Sequence, residues 1–362
     1  DILSASVDLD ILTLVGLPVR HNAKLYNCAA VVCHGELLGL VPKTYLPNYG
    51  EFYEKRHFVP AMREAECIEF AGQETLIGTD LLFACKQLPD FVLGVEVCED
   101  LWAPVPPSCR HALAGATVIA NLSASDETVG KADYRRALVC GQSARLLTAY
   151  LYADAGHGES TTDMTFAAHN LIAENGSLLS EARPFAGGAA VTELDVSRLQ
   201  QERMRNTSFC PETSGYTTVE FELCDEKISL TRPVSPTPFV PQDTAARAER
   251  CELILRIQAE GLAKRMEHTH AKCAVVGISG GLDSCLALLV AVRACKVLGR
   301  DAKDIVALTM PCFGTTRRTR SNAEILCEAL GVSFGEINIT KTVQSHFADI
   351  DQNPESYDVT FE

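Results

Sequence analysis

The 362-residue sequence predicts two consecutive α/β domains, one at residues 1–230 and a second at residues 244–362. In the first, short apolar runs typical of buried strands alternate with helical stretches, which indicates a layered α/β fold. In the second, a strand, a glycine-rich turn and a helix follow one another, as in a parallel βαβ unit. Between the two, residues 231–243 contain four prolines and predict an extended linker.

Composition argues against several classes of protein. An apolar fraction of 47% is sufficient for folded cores, so global disorder is excluded. A net charge of −15 without a basic stripe argues against long nucleic acid or an anionic membrane as partner. No apolar run approaches the roughly 20 residues that span a bilayer. The 15 cysteines are scattered without zinc-type spacing, which fits a reducing cytoplasm.

Turn residues and apolar runs mark the strands of the first domain. The runs at residues 28–33 and 37–41 flank His34-Gly35-Glu36 and predict a hairpin whose glycine supplies the turn. Lys131 to Ala149 has few β-branched residues and predicts a helix. Further buried strands are predicted at residues 91–97, 116–121, 150–153 and 167–174, the last running into the hairpin signal Asn175-Gly176.

The second domain begins with a predicted amphipathic helix from Thr244 to Met266. Its apolar residues recur near helical spacing at Leu253, Leu255, Ile257, Leu262 and Met266. Strands are then predicted at residues 273–278 and 305–310, and helices at residues 283–298 and 321–330, the last stopped by Gly331.

The strongest motif is the loop between the first strand and the next helix of this second domain. Adjacent glycines let several backbone N–H groups converge at a helix N-terminus, which makes a cradle for phosphate oxygens. The lysine of a Walker A loop is absent, so the cradle is of another type. A tight turn that needs small residues only for packing is the alternative, and the flanking serines and aspartate favour phosphate. The candidate phosphate-binding residues are Gly277, Ile278, Ser279, Gly280, Gly281, Leu282, Asp283 and Ser284, with Asp283 placed to hold a divalent cation.

Cys98 differs from the other cysteines in its surroundings. It ends a predicted strand and precedes Glu99-Asp100-Leu101-Trp102, so its thiol lies at a strand-to-helix turn. At such a turn, the following backbone N–H can stabilise an oxyanion. Cys98 is therefore a candidate nucleophile.

A second segment, residues 42–58, supports a reactive thiol. Lys43, if buried near a reacting carbonyl, would supply positive charge to an oxyanion, whereas taken alone it reads as a solvated lysine. Glu54 with Arg56 is either a buried orienting pair or a surface pair, and the sequence favours neither.

These segments resemble known families. Lys43 with Leu46-Pro-Asn-Tyr49, and Val97-Cys-Glu-Asp-Leu-Trp102, resemble the nitrilase or carbon–nitrogen hydrolase superfamily. The loop at residues 277–284 resembles that of the ATP pyrophosphatases, which implies that Gly277 to Ser284 are ATP-binding residues. Their combination in one chain resembles the glutamine-dependent NAD⁺ synthetase family. Additional resemblance lies at residues 121–125, 156–163, 173–176 and 310–316.

The resemblance implies a nitrilase-like α-β-β-α sandwich, followed by a doubly wound, Rossmann-like ATP pyrophosphatase domain that is incomplete at its C-terminus. It implies a ligase that takes nitrogen from glutamine and uses ATP with Mg²⁺ to amidate deamido-NAD⁺, as a large homo-oligomer. Cys98 would be the glutaminase nucleophile and Lys43 its lysine. Tyr49, Ser125 and Lys131 would contact glutamine, although lysine at position 131 cannot grip a carboxylate in two places as arginine does.

The family also implies residues that we expect outside this sequence. The general-base glutamate belongs well before Lys43, so we expect it upstream of Asp1, and the dinucleotide-binding segments beyond Glu362. The chain starts without methionine and stops inside a strand-like run at residues 357–362, which favours a piece of a longer protein. Two alternatives stay open: another ATP pyrophosphatase amidotransferase with a different carbonyl acceptor, and an inactive structural fragment.

Overall fold

The computed structural model describes residues 1–159, 164–224, 229–312, 317–353 and 356, without the side chains of residues 317–321. Of the sequence predictions, those at residues 160–163, 313–316 and 357–362 lie outside these ranges. The chain divides into two compact units, Asp1–Pro233 and Val234–Glu362. Each unit has its own sheet structure and its own hydrophobic core.

The described part of the first unit contains two sheets. The strands are β1 (Thr13–His21), β2 (Lys24–Cys33), β3 (Glu36–Pro42), β4 (Glu66–Phe70), β5 (Gln73–Ile77), β6 (Leu81–Cys85), β7 (Val92–Val97), β8 (Val118–Ser123), β9 (Ala149–Asp154), β10 (Asn170–Glu174), β11 (Ser177–Ala182) and β12 (Thr217–Phe221). The first sheet has the order β1-β2-β3-β5-β4, and the second β11-β10-β9-β8-β7-β6-β12.

In the described part of this unit, four α-helices surround the sheets. They are α1 (Ile2–Ala5), α2 (Pro107–Ala114), α3 (Lys131–Leu146) and α4 (Val196–Arg205). One core lies between the sheets, where β2 and β3 face β6, β7 and β8. Residues of α2 and α3 cover the outer face of the second sheet, and Leu3 of α1 packs on the outer face of the first. This order of layers confirms the predicted α-β-β-α sandwich.

The local predictions for the first unit hold with small shifts at the element ends. In the hairpin between β2 and β3, His34 and Gly35 have φ angles of +47° and +80°, the geometry that a two-residue turn requires. The Asn175-Gly176 turn joins β10 to β11. The helix predicted up to Ala149 ends at Leu146, because Leu147 is left-handed with φ +50° and Ala149 already begins β9.

The described part of the second unit has a three-stranded parallel sheet. Its strands are β13 (Ala274–Gly277), β14 (Ile305–Thr309) and β15 (Ser333–Glu336), in the order β13-β14-β15. The helices are α5 (Thr244–His268), α6 (Leu282–Val297), α7 (Arg317–Leu330) and α8 (Thr340–Asp349). Gly331 follows α7 with φ +67°, as predicted for a helix stop. No helix in the described ranges is long and apolar enough to cross a bilayer.

The face that α5 buries matches the predicted one in part, since Leu262 and Met266 pack in the core of this unit. Leu253 and Ile257 are exposed, whereas Ala259, Ala263 and Met266 are buried. Of these, Ala263 and Met266 belong to the core that α6 also lines. Small side chains let two helices approach closely, so alanines rather than the larger residues form much of the buried face.

Candidate active site

Cys98 lies at a sharp turn between β7 and a short 3-10 helix at Cys98–Leu101. Its φ of +50° lies in the left-handed region, which costs a non-glycine residue about 1–3 kcal/mol. The backbone N–H of Cys98 donates to Oδ1 of Asn121 at 2.9 Å, and Nδ2 of Asn121 donates to the Cys98 carbonyl at 3.4 Å. The neighbouring strand therefore holds this strained turn, and the thiol is half-buried.

Lys43 follows β3 directly, and its side chain is 2% exposed. Its Nζ lies 2.7 Å from Oε2 of Glu54, whose Oε1 accepts from Nδ2 of Asn27 at 2.9 Å. Burial disfavours the charged ammonium, but Cys98, Glu54 and Asp100 outweigh this cost and raise the pKa of Lys43. Lys43 is therefore a buried, fixed positive charge and not a solvated lysine.

Glu54 and Arg56 have different partners in the structure. Glu54 binds Lys43, while the guanidinium of Arg56 lies 5.0 Å from the ring centroid of Tyr53. The sequence left a Glu54–Arg56 pair open as either buried or exposed. The structure instead assigns Glu54 to the candidate catalytic lysine.

A chain of buried hydrogen bonds lies behind the Cys98 turn. Strands β7 and β8 are parallel, and their register pairs Glu96 with Asn121. The Glu96 carboxyl accepts from the hydroxyl of Tyr150 and, at 2.8 Å, from the backbone N–H of Ser108. Nδ2 of Asn121 also donates to the Tyr150 hydroxyl at 3.2 Å. Burial raises the pKa of Glu96, and the network fixes the orientation in which Asn121 supports Cys98.

Cys98 and Lys43 line the same cavity. Its volume is about 720 Å³, and Glu54 and Asp154 line it as well. Cys98 is among the groups that raise the pKa of Lys43, because a thiolate at this position would favour the charged ammonium. A nucleophile and a positive charge that face one cavity can attack a carbonyl and stabilise the resulting oxyanion.

A second cavity of about 390 Å³ also includes Cys98. The three candidate glutamine contacts, Tyr49, Ser125 and Lys131, all line it, together with Trp102. The structure therefore brings these three side chains to one side of the Cys98 turn. The volume suits a small polar substrate more than a polymer.

Each of the three candidate glutamine contacts already has a hydrogen-bond or ion-pair partner within the protein. The Tyr49 hydroxyl donates to Oε1 of Glu99 at 2.6 Å, and burial together with this bond raises the pKa of Tyr49. The Ser125 hydroxyl oxygen accepts a hydrogen bond from Nη2 of the buried Arg135 at 3.4 Å. Lys131 pairs with Asp126.

The glycine-rich loop of the second unit connects β13 to α6. Gly280 has φ +84°, and Gly281 precedes the first helical residue, Leu282. The Ser279 N–H donates to Oγ of Ser284 at 3.2 Å, and the Gly281 N–H donates to Oγ of Ser279 at 3.3 Å. The two serine hydroxyls lie 3.1 Å apart, so they organise the loop around the start of α6, where the helix dipole favours anions.

Asp283 is exposed in the first turn of α6. Within the described ranges, no three His, Cys, Asp or Glu side chains are grouped to hold a metal ion. Mg²⁺ that binds with a nucleotide commonly takes one or two protein carboxylates and completes its shell with phosphate oxygens and water. A single carboxylate beside a phosphate loop is compatible with that mode of binding.

Comparison with known families identifies the first unit. The profile of the carbon-nitrogen hydrolase family matches residues 2–204, more than half of the chain. The chain belongs to the carbon-nitrogen hydrolase family. In this carbon-nitrogen hydrolase, the profile of a second family, NAD synthase, matches residues 254–360, which include the glycine-rich loop.

Similar proteins carry both regions. Over the whole chain, this carbon-nitrogen hydrolase is 43% identical to "Glutamine-dependent NAD(+) synthetase" of Mycobacterium tuberculosis and covers 56% of that protein. With the protein of the same name from Thermotoga maritima the identity is 29%, over 94% of this chain and 54% of the relative. A solved glutamine-dependent NAD⁺ synthetase from Acinetobacter baumannii has 22% identity and a TM-score of 0.43, over 99% of this chain and 56% of that one. The chain spans about half the length of the curated relatives it matches.

Two supporting residues of the candidate site around Cys98 were not assigned a role from the sequence. Asn121 lies in a segment noted for its resemblance, but its bonds to Cys98 depend on the register between β7 and β8. Asp100 was noted only as a neighbour of the thiol, whereas its carboxyl is 1% exposed and accepts three backbone N–H groups. A polar residue at the end of an apolar run was the available signal for Asn121.

Proposed function

We propose that the full-length protein is a cytoplasmic, glutamine-dependent NAD⁺ synthetase. The observation that supports this best is the occurrence, in one chain, of a thiol–ammonium pair on a shared cavity and a serine-glycine loop at a helix start. The 43% identity to proteins of that name runs across both units. The whole reaction is a proposal, because the chain spans about half of those relatives.

The first unit would release ammonia from glutamine. The Cys98 thiolate attacks the side-chain amide carbon, and the oxyanion is stabilised by Lys43 and by the backbone N–H after Cys98. The early N–H groups of a helix have no acceptor within it, so this N–H is suited to the role. Collapse of the intermediate expels ammonia and leaves a thioester, which water hydrolyses to glutamate. The general base, the glutamate that we expect before Asp1, takes the thiol proton and passes it to the departing nitrogen, and it later takes a proton from the water that hydrolyses the thioester.

The second unit would consume that ammonia. ATP binds at Gly277–Ser284, with its phosphates at the start of α6. The nicotinate carboxylate of deamido-NAD⁺ attacks the α-phosphorus and releases pyrophosphate. Ammonia then displaces AMP from the acyl adenylate and gives NAD⁺. Asp283 would hold Mg²⁺, which neutralises phosphate charge during adenylation.

The chemistry of ammonia, which the first reaction releases and the second consumes, favours a sheltered route between the two reactions. Free ammonia is mostly protonated at neutral pH and is then not nucleophilic. We expect the substrates to be small molecules, and we expect the protein to form a homo-oligomer, as the family resemblance implies.

The test is NAD⁺ formation by the full-length protein with either glutamine or ammonium salts as nitrogen source. Cys98→Ala should abolish glutamine-supported formation and preserve ammonium-supported formation. Cys140→Ala is the matched control, since Cys140 is a half-buried cysteine of α3 outside both cavities, and both activities should persist.

Equal loss of both activities in Cys98→Ala would contradict the proposed division of labour. A screen of carboxylate acceptors for pyrophosphate release distinguishes an NAD⁺ synthetase from the alternative amidotransferase with a different acceptor. If deamido-NAD⁺ gave no pyrophosphate while another acid did, the acceptor would be wrong and the glutaminase assignment would stand. If residues 1–362 alone showed neither glutamine hydrolysis nor pyrophosphate release, this result would favour the inactive structural fragment.

A further inference from the structure

Asp100 lies in the turn that begins with Cys98, and it is almost fully buried at 1% exposure. Its Oδ2 accepts from the backbone N–H of Val97 at 2.9 Å. Its Oδ1 accepts from the backbone N–H groups of Tyr45 at 2.8 Å and Thr44 at 3.1 Å. Val97 immediately precedes the thiol, and Thr44 and Tyr45 immediately follow Lys43. One carboxylate therefore joins the two segments that carry the reacting pair.

Other hydrogen bonds hold the Cys98 segment and the Lys43 segment to different sheets. Cys98 is bonded through Asn121 to β8 of the second sheet. The backbone N–H of Lys43 donates to the carbonyl of Asn27 at 2.7 Å, which ties it to β2 of the first sheet. The carboxylate of Asp100 spans the gap between these two anchored segments.

Burial of Asp100 carries a free-energy cost that its contacts only partly offset. Desolvation and the nearby Glu96 raise the pKa of Asp100 to about 7, although its backbone hydrogen bonds favour the ionised form. Asp100 also contributes to the raised pKa of Lys43. Because this carboxyl is costly to ionise when buried and accepts three N–H groups, its hydrogen bonds, and not only its volume, contribute to the structure here.

We propose that Asp100 is a positioning residue that fixes the separation of the Cys98 thiol and the Lys43 ammonium, a role that rests on the proposed glutaminase reaction. The carboxylate also holds Val97, so it restrains the left-handed turn that presents the thiol. The oxyanion site requires both groups on one side of the substrate carbonyl, and displacement of the Lys43 segment would weaken it without removing either group.

Asp100→Asn in the full-length protein tests this role with little change of shape. An amide has one acceptor oxygen, so it can accept from Val97 or from Thr44 and Tyr45, but not from both sides. We expect kcat for glutamine hydrolysis to fall about 10-fold, while KM changes less than about 2-fold, because Tyr49, Ser125 and Lys131 are untouched. Ammonium-supported NAD⁺ formation should be unchanged.

Two further measurements do not depend on the glutaminase activity. Either the backbone amide of Val97 or those of Thr44 and Tyr45, whichever side the asparagine oxygen no longer faces, should exchange faster with deuterium in Asp100→Asn than in the wild type. The peptide containing Cys98 should be alkylated by iodoacetamide at a changed rate, because the nearby ammonium has moved.

Asp80→Asn is the matched control. Asp80 is also a buried carboxylate of the first unit, 3% exposed, but it binds Arg110 and lines a separate pocket. This variant should lower the melting temperature and leave kcat and the alkylation rate at wild-type values.

The inference is overturned if Asp100→Asn only lowers the melting temperature and keeps kcat, amide exchange and alkylation unchanged. If the wild type hydrolyses no glutamine, the proposed function fails instead. In that case, exchange and alkylation still show whether Asp100 joins the two segments.

Discussion

The site around Cys98 and Lys43, here called the thiol site, and the glycine-rich loop at residues 277–284, here called the phosphate loop, differ in how many separate segments of the chain form them. The thiol site joins side chains from the segments that follow β3 and β7, from β8 and from the turn at Glu54–Arg56, and its Lys43 is 2% exposed. The phosphate loop is eight consecutive residues, and its serines bond to each other and to their own turn. A site made of distant segments depends on tertiary packing, whereas a local loop depends mainly on the strand and helix that it connects.

This difference predicts separable consequences of mutation. A change in the thiol site should affect only the reaction that uses glutamine. A change in the phosphate loop should affect NAD⁺ formation from glutamine and from ammonium alike. The variants below, all in the full-length protein, compare the two sites on this basis.

Lys43→Met should have the largest effect. It removes the buried ammonium and leaves Glu54 without its cationic partner, so the oxyanion loses its fixed positive charge. We expect kcat/KM for glutamine hydrolysis to fall about 10³-fold, measured as glutamate release. Lys86→Met removes a lysine whose side chain is 47% exposed and should change nothing. A loss of less than about 3-fold in Lys43→Met would place the catalytic charge elsewhere.

Asp283→Asn should have the next largest effect, and on both nitrogen sources. Loss of one carboxylate beside the phosphates should reduce ATP-dependent NAD⁺ formation on the order of 10²-fold and raise the Mg²⁺ concentration for half-maximal rate. Glutamine hydrolysis measured alone should persist. Asp349→Asn, an exposed aspartate at the end of α8, is the control. An unchanged Mg²⁺ dependence in Asp283→Asn would contradict its role as a metal ligand.

Glu54→Gln should reduce glutamine hydrolysis about 10- to 100-fold, since a charge-assisted hydrogen bond contributes roughly 1.5–3 kcal/mol. Glu54 helps to raise the pKa of Lys43, so its neutral replacement should lower that pKa. The ammonium would then lose its proton at lower pH, and the alkaline fall in activity should begin earlier. The pH profile of glutamate release measures this shift. A shift toward higher pH would be incompatible with the observed pairing.

Tyr49→Phe should have the smallest effect. The Tyr49 side chain is 59% exposed, and its hydroxyl donates to Glu99 at the mouth of the second cavity. A net contribution of about 0.5–1 kcal/mol predicts a rise in KM for glutamine of about 3-fold, with kcat nearly constant. Tyr45→Phe is the control, because Tyr45 is an exposed tyrosine that lines neither cavity and whose hydroxyl donates to the carbonyl of Val105. A fall in kcat without a change in KM would exclude a binding role for Tyr49.

Local features of the fold could be predicted from the sequence because they depend on neighbouring residues. The hairpin at His34-Gly35, the turn at Asn175-Gly176 and the loop from Gly277 all follow from local chemistry. Contacts across the fold could not be predicted in this way. The pairing of Glu54 with Lys43 depends on how the segment after β3 folds back, and a short 3-10 turn directs Arg56 to a different side from Glu54.

Packing between elements limited the prediction of buried faces. Periodicity indicated Leu253 and Ile257 as part of the buried face of α5, but alanines fill much of that face. Cys273 begins the apolar run that predicts a strand at residues 273–278, yet it is exposed and precedes β13. Hydrophobicity alone does not reveal which residue has space to pack against its neighbour.

Covalent labelling of the full-length protein with a diazoketone analogue of glutamine gives the most direct test of the thiol site. The thiol of Cys98 should displace dinitrogen and form a thioether, which peptide mass spectrometry would locate at Cys98 and which excess glutamine would prevent. Labelled protein should lose glutamine-supported NAD⁺ formation and retain the ammonium-supported reaction. A label on a different cysteine, or equal loss of both reactions, would contradict the assignment of Cys98 as the residue that releases nitrogen.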